Sequence, residues 1–169
     1  MSGGLWLVRH GRPLIDRGSP AHTWPLDPAY AHDVRALALR LPDDAHWFSS
    51  PEPKAIATAR LLHDGRLGVV DDLREHERHS ADWVEDFAAT VRRAFDRPRE
   101  PAHPGWEPLE DCRRRVVAAV DELRAEHPAD DLVLVGHGTA WTLLAAHLRG
   151  EAPDLDRWEG LDLPDLIVV

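Results

Sequence analysis

Two short apolar runs, each halted by a glycine-flanked histidine, constrain this chain more than any other feature. Leu5-Trp6-Leu7-Val8 runs into Arg9-His10-Gly11, and Leu132-Val133-Leu134-Val135 runs into Gly136-His137-Gly138. Apolar runs this short predict buried strands. An Arg and a His side by side at a strand's carboxyl end set a fixed cation against a titratable nucleophile, and the following Gly lets backbone approach a ligand. Two such ends predict one shared anion site, and the helix expected to start at Gly138 and Thr139 adds amides and a dipole that favour an anion.

Between and around these runs, strand and helix patterns alternate. Val34, Leu37, Ala38 and Leu41 form an inward stripe on a helix over 31–41 that Pro42 ends. Residues 46–49 read as a strand. Pro53 opens a helix to Leu62 with Ala55, Ile56, Ala59 and Leu62 inward, and 67–70 is a brief strand. The charged stretch 72–80 reads as loop. Trp83, Phe87, Val91 and Ala94 mark a helix capped by Ser80 and followed by Pro98. Four prolines and a glycine in 97–108 predict a surface loop. A long helix then buries Leu109, Cys112, Val116, Val120 and Leu123. A strand over 131–135, a helix with Trp141, Leu144, Ala145 and Leu148 inward, and a closing strand over 166–169 complete the chain. This order predicts a three-layer α/β/α sandwich with a mostly parallel central sheet. It predicts a single domain over residues 1–169 with a short cap segment at about 72–108.

Charge narrows the partners. The 169 residues carry a formal net charge of −10, with 43% hydrophobic and 30% charged residues. Nucleic acid and anionic membrane both require a basic face, so neither is expected as a partner. A small anionic substrate is still compatible, provided the pocket gathers positive charge locally. Cys112 is the single cysteine, which excludes an intrachain disulfide; with no leader pattern in Met1-Ser2-Gly3-Gly4, a cytoplasmic protein is expected. No Gly-x-Ser-x-Gly elbow, Walker loop or dinucleotide-binding glycine motif occurs. His76 and His79 have helical metal-ligand spacing, but nothing completes a site around them, so no metal and no cofactor are expected.

Four blocks together resemble one family. Leu7-Val8-Arg9-His10-Gly11, then Ser49-Ser50-Pro51 leading into a helix with Ala55 and Thr58-Ala59, then Leu73-Arg74-Glu75, then Val135-Gly136-His137-Gly138 are similar in order and spacing to the histidine phosphatase, or phosphoglycerate mutase-like, superfamily. Gly105 to Arg115 also resembles that family's segment before its long helix. The resemblance implies that His10 is the nucleophile and forms a phosphohistidine. Arg9 would grip phosphoryl oxygens, His137 would stabilise their charge, and Gly138 would add to the phosphate site. Glu75 would be general acid and then base, a role that calls for a carboxyl held protonated near neutral pH. Glu77 is its substitute in the same acidic run. Ser50 reads as a cap for the helix entry.

Two positions depart from the family pattern. Lys54 stands where the family usually has a second Arg, keeping the charge but losing the bidentate fork. The loop after Gly11 reads Arg12-Pro13-Leu14-Ile15-Asp16; an ionised Asp16 cannot donate to phosphate, while Arg12 is a candidate contact to a second anionic group. Only about thirty residues separate Glu75 from Gly105. A cap that short favours hydrolysis of a phosphomonoester of a small metabolite over mutase chemistry, which must shelter its intermediate. The alternatives are a phosphohistidine protein phosphatase and a non-catalytic phospho-ligand binding module. Trp24, Trp83 and Trp106 lie in segments that would rim the pocket.

Overall fold

In the computed structural model, which describes residues 3–79 and 83–169, the two histidine-terminated runs are neighbouring parallel strands. The sheet comprises β1 (Leu5–Arg9), β2 (His46–Ser49), β3 (Leu67–Val69), β4 (Leu132–Gly136) and β5 (Asp165–Val168), in the spatial order β3-β2-β4-β1-β5. The contacts β1–β4, β2–β4 and β2–β3 are parallel; β5 alone is antiparallel, against β1. Helices α1 (Ala31–Ala36), α2 (Pro53–Leu62), α3 (Phe87–Asp96), α4 (Leu109–Glu126), α5 (Gly138–Arg149) and α6 (Leu155–Glu159) complete the described elements.

Side chains alternate across a strand, so one run of apolar residues feeds two cores. Leu5, Leu7, Leu132 and Leu134 face α4 and α5, packing against Val116, Val120, Trp141 and Leu144. Val8, Val133 and Val135 face the other way, against Leu37, Ala55 and Ala59. That division produces the three layers and explains why both strands are apolar throughout.

Register then places the site. Val8 pairs with Val135 and Arg9 with Gly136. The next residues on the two strands are His10 and His137, and the His10 amide still donates to the Gly136 carbonyl at 2.9 Å. On the far side of β4, the Ser50 amide donates to the Val135 carbonyl at 2.9 Å. Three strand ends therefore deliver His10, His137 and Ser50 to one edge.

Several local expectations are corrected. The first helix tightens into a 3-10 turn at Leu37–Arg40. At about three residues per turn, Val34 and Leu37 stay inward while Ala38 rotates out and is exposed. Helix α3 starts at Phe87, capped by Asp86, whose carboxylate accepts from the Ala89 amide; Trp83 precedes it, and Ser80 lies outside the described residues. The stretch 97–108 is not wholly surface, because Trp106 is buried with Val91 and Trp158 in a small third core. Helix α6 was not expected; Asp154 caps it. Gly11 makes room for packing: a Cβ there would lie 2.5 Å from Val34 Cγ2 and 2.9 Å from Leu26 Cδ1.

Trp141 joins α5 to the end of β1. It is fully buried, and its Nε1–H donates to the Val8 carbonyl at 2.8 Å. Trp141→Phe keeps most of the ring but removes that hydrogen bond, which costs about 0.5–1.5 kcal/mol. Urea denaturation at neutral pH is expected to show this as a lower midpoint with an unchanged slope; an unaltered midpoint would contradict it.

Candidate active site

His10 is held in one tautomer. Its Nδ1 lies 2.7 Å from the Gly11 carbonyl, which can only accept, so Nδ1 carries the proton and Nε2 keeps its lone pair. The ring is buried and stands edge-on to His137, with centroids 5.2 Å apart. Burial drives the His10 pKa well below the ordinary histidine range, and the neighbouring His137, Lys54 and Arg9 push the same way. His10 is therefore a neutral imidazole at physiological pH, with a nucleophilic nitrogen.

His137 is oriented by Ser50. Its Nε2 lies 2.7 Å from Ser50 Oγ, which itself accepts from the Glu52 amide at 3.2 Å. With the Ser50 hydroxyl donating to Nε2, the His137 proton sits on Nδ1. That Nδ1 is buried with no hydrogen-bond partner among the described residues. Burial lowers the His137 pKa to about 3; Glu75 opposes the shift, while Lys54, Arg78 and Arg9 add to it.

Of the cations that line the same cleft, Arg9, Lys54 and Arg78 are those whose charge acts on His137. Arg9 is anchored by Nη1 donating to the Leu161 carbonyl at 2.7 Å, and its Nε is buried without a partner among the described residues. Gly138 provides the space for it: a Cβ at 138 would sit 3.0 Å from Arg9 Nε. Lys54 is buried and already engaged, donating to Glu52 Oε2 at 2.5 Å and to the Ala21 carbonyl at 2.7 Å. Arg78 lies over Phe87 and Trp106, at 4.8 and 4.9 Å from their ring centres, and its Nε is likewise buried without a partner among the described residues. A buried donor left unpaired costs roughly 1–3 kcal/mol, so an oxyanion bound among Arg9, Arg78 and His137 would recover interactions that the protein alone leaves unmade.

Glu75 occupies the start of α5. Its Oε1 accepts from the amides of Ala140 and His76, both at 2.9 Å, and its Oε2 accepts from the Thr139 amide at 3.1 Å. Burial raises its pKa, but His137, Arg78 and the amides of His76 and Thr139 outweigh that and hold it at about 2. Arg115 on α4 fixes the loop that carries it, with Nη1 donating to the Arg74 carbonyl at 3.0 Å and Nη2 to Glu107 Oε1 at 2.6 Å.

The structure therefore brings Arg9, His10, Lys54, Glu75 and His137 to one cleft, with Gly138 against Arg9. It changes what some of them do. The Thr139 and Ala140 amides expected to meet an anion hold Glu75 instead, and Glu75 rests as a carboxylate rather than a protonated acid. Arg12 is exposed, with its guanidinium 4.5 Å from the Tyr30 ring centre, and is not among the cleft-lining residues. Glu77 is spent on Arg74 and His79. Trp24, Trp83 and Trp106 all line the cleft. Sequence reasoning missed Glu52, Arg78 and Arg115. Arg78 is aimed by a bridge between its backbone and that of Trp106, a pairing with no local signal in a charged run.

Residues 5–168 match the sequence profile of the Histidine phosphatase superfamily (branch 1). No curated protein matches the chain. Among solved structures, TTHB049 from Thermus thermophilus is 27% identical with a TM-score of 0.68, covering 88% of this chain and 86% of its own. Bacillus stearothermophilus YhfR is 23% identical with a TM-score of 0.72, covering 91% and 84%. A mycobacterial glucosyl-3-phosphoglycerate phosphatase in complex with VO3 is 21% identical with a TM-score of 0.75, covering 99% and 98%.

Burial of neutral imidazoles has a consequence for stability. Unfolded, each titrates near 6.5; folded, His76 titrates at about 4 and His137 at about 3. Below about pH 6.5 the unfolded chain binds more protons than the folded one, so stability falls on acidification. Glu75 adds to the loss lower down, from its ordinary 4.5 towards about 2. Urea midpoints are expected to drop between about pH 7.5 and 5, and His137→Asn to flatten part of that drop. A flat wild-type profile would contradict the assignment.

Proposed function

The chain belongs to the histidine phosphatase superfamily, and from that premise we propose that it hydrolyses phosphomonoesters of small metabolites through a phosphohistidine at His10. The observation that carries this reading is the fixed tautomer of His10, whose unprotonated Nε2 lies in the cleft beside His137 and Arg9.

In the first half-reaction, Nε2 of His10 attacks phosphorus, the P–N bond forms and the bond to the leaving oxygen breaks. Arg9 and the Nδ1–H of His137 hold the phosphoryl oxygens as charge develops on them. Lys54 adds positive field, tempered by its pairing with Glu52. The leaving oxygen needs a proton. Glu75 is ionised before substrate binds, so the proton enters with substrate: a phosphate anion placed beside this carboxylate favours protonation of one of the two. Glu75 then passes that proton to the leaving oxygen. In the second half-reaction the regenerated carboxylate takes a proton from water, water oxygen bonds to phosphorus and the P–N bond breaks. No step calls for a metal.

Hydrolysis of p-nitrophenyl phosphate is expected to be insensitive to EDTA and to fall at least about a thousandfold in His10→Ala. Rapid quench into alkaline detergent during turnover of a 32P-labelled ester would trap label on protein in a base-stable bond that later acid treatment releases. Glu75→Gln is expected to slow an alkyl phosphate more than p-nitrophenyl phosphate, because the nitrophenolate leaves without help. Binding of vanadate without turnover of any ester, phosphohistidine included, would replace this reading with a phospho-ligand binding module.

A further inference from the structure

Beyond the phosphoryl site, the cleft opens into an apolar vestibule. Its volume is about 910 Å³, at the upper end of the roughly 300–1,000 Å³ typical of pockets that enclose drug-sized ligands. A phosphoryl group occupies only the inner end. Ile15, Trp83 and Phe87 stand at this cleft with 56%, 42% and 41% of their surfaces exposed. Large apolar side chains gathered in the open beside a charged site mark a binding surface more often than chance exposure.

The two segments that make this wall are joined. Ile15 and Trp24 belong to the loop after β1, Trp83 to the segment before α3 and Phe87 to the first turn of α3. The Arg17 guanidinium lies 3.9 Å from the Trp83 ring centre and links one to the other. The indole N–H groups of the wall are already used. The Trp24 Nε1–H donates to the Asp16 and Ser19 carbonyls at 2.9 and 3.0 Å, and the Trp158 Nε1–H to Thr139 Oγ1 at 3.2 Å. Of the charged groups nearby, Arg74 is paired with Asp71 and Glu77. Arg17 and His22 stand at the rim, whereas Ile15, Trp24, Trp83 and Phe87 offer a ligand ring face and methyl surface without a free donor or acceptor for hydroxyl groups. A sugar or glycerol moiety would lose water there without regaining its hydrogen bonds.

We propose that this wall selects phosphomonoesters whose leaving group is large, apolar and ring-bearing, with Ile15, Trp24, Trp83 and Phe87 as its specificity-determining residues. The inference rests on the phosphatase reading above and names the substrate class of that site. Arg78, between the Phe87 and Trp106 rings and beside Glu75, sits where the vestibule meets the phosphoryl end.

The test compares 2-(1-naphthyl)ethyl phosphate with ethyl phosphate and glycerol phosphate, all esters of primary alcohols, so that leaving-group chemistry stays close to constant. The naphthyl ester is expected to show kcat/KM about tenfold to a hundredfold above ethyl phosphate. Ile15→Ser and Phe87→Ser are each expected to lower that ratio several-fold. Calorimetric titration with the matching phosphonates reads the same discrimination without turnover. Equal kcat/KM values, a preference for glycerol phosphate, or a ratio unmoved by both variants would overturn the proposal. Absence of turnover on every ester would overturn the phosphatase reading instead, and the phosphonate affinities would still decide this one.

Discussion

The parallel register of β1 on β4 is the constraint from which the site follows. Pairing of Arg9 with Gly136 leaves His10 and His137 as the next residues on adjacent strands, 5.2 Å apart between ring centres. A shift of one residue would turn every side chain of a strand to the opposite face, sending Leu5 and Leu7 to the core of Val8 and breaking both layers. The apolar faces thus fix the register, and the register fixes the imidazole pair. The geometry of the candidate site is a consequence of core packing, with no separate device required to assemble it.

Burial makes these imidazoles neutral, and their surroundings are close to charge balance. Arg9, Arg17, Lys54, Arg74 and Arg78 line the cleft with Glu52, Asp71, Glu75 and Glu77, in a chain whose formal charge is −10. Five cations against four carboxylates leave one positive charge in the cleft, too little to neutralise a phosphate dianion. In the proposed mechanism that excess negative charge returns a proton to Glu75 or to the phosphate, and the leaving oxygen takes it. Glu52 is central to this balance. It holds Lys54, accepts from the Glu75 amide at 3.1 Å and lies 3.5 Å from His137. The lysine that stands in place of an arginine is therefore matched to its own counter-ion.

Residues set by strand burial were legible in the sequence, and residues set by long-range loop contacts were not. Arg9, His10 and His137 announce themselves because an apolar run must end at a sheet edge. The stripes of α2, α4 and α5 followed from their period, although Ala38 turned outward where the first helix tightened. Arg78 was hidden among alternating acids and bases, because its direction depends on pairing with Trp106. Glu52 carries no signal in the sequence, and only the fold sets it against Lys54 and Glu75. Glu75 itself was found, but its protonation was misjudged: the sequence suggests crowding with other acids, whereas the fold surrounds it with amides and cations. Arg12 went the other way, attracted to Tyr30 rather than to the cleft.

The claim on which the rest stands is that two neutral imidazoles share one oxyanion. Nitrogen-15 NMR of the histidine side chains at neutral pH, with and without vanadate, tests it most directly. The account predicts that His10 and His137 are both uncharged in the free protein, each with its proton on Nδ1, and that both ring signals shift together as vanadate is added. An imidazolium at either position, or a response confined to one ring, would contradict it.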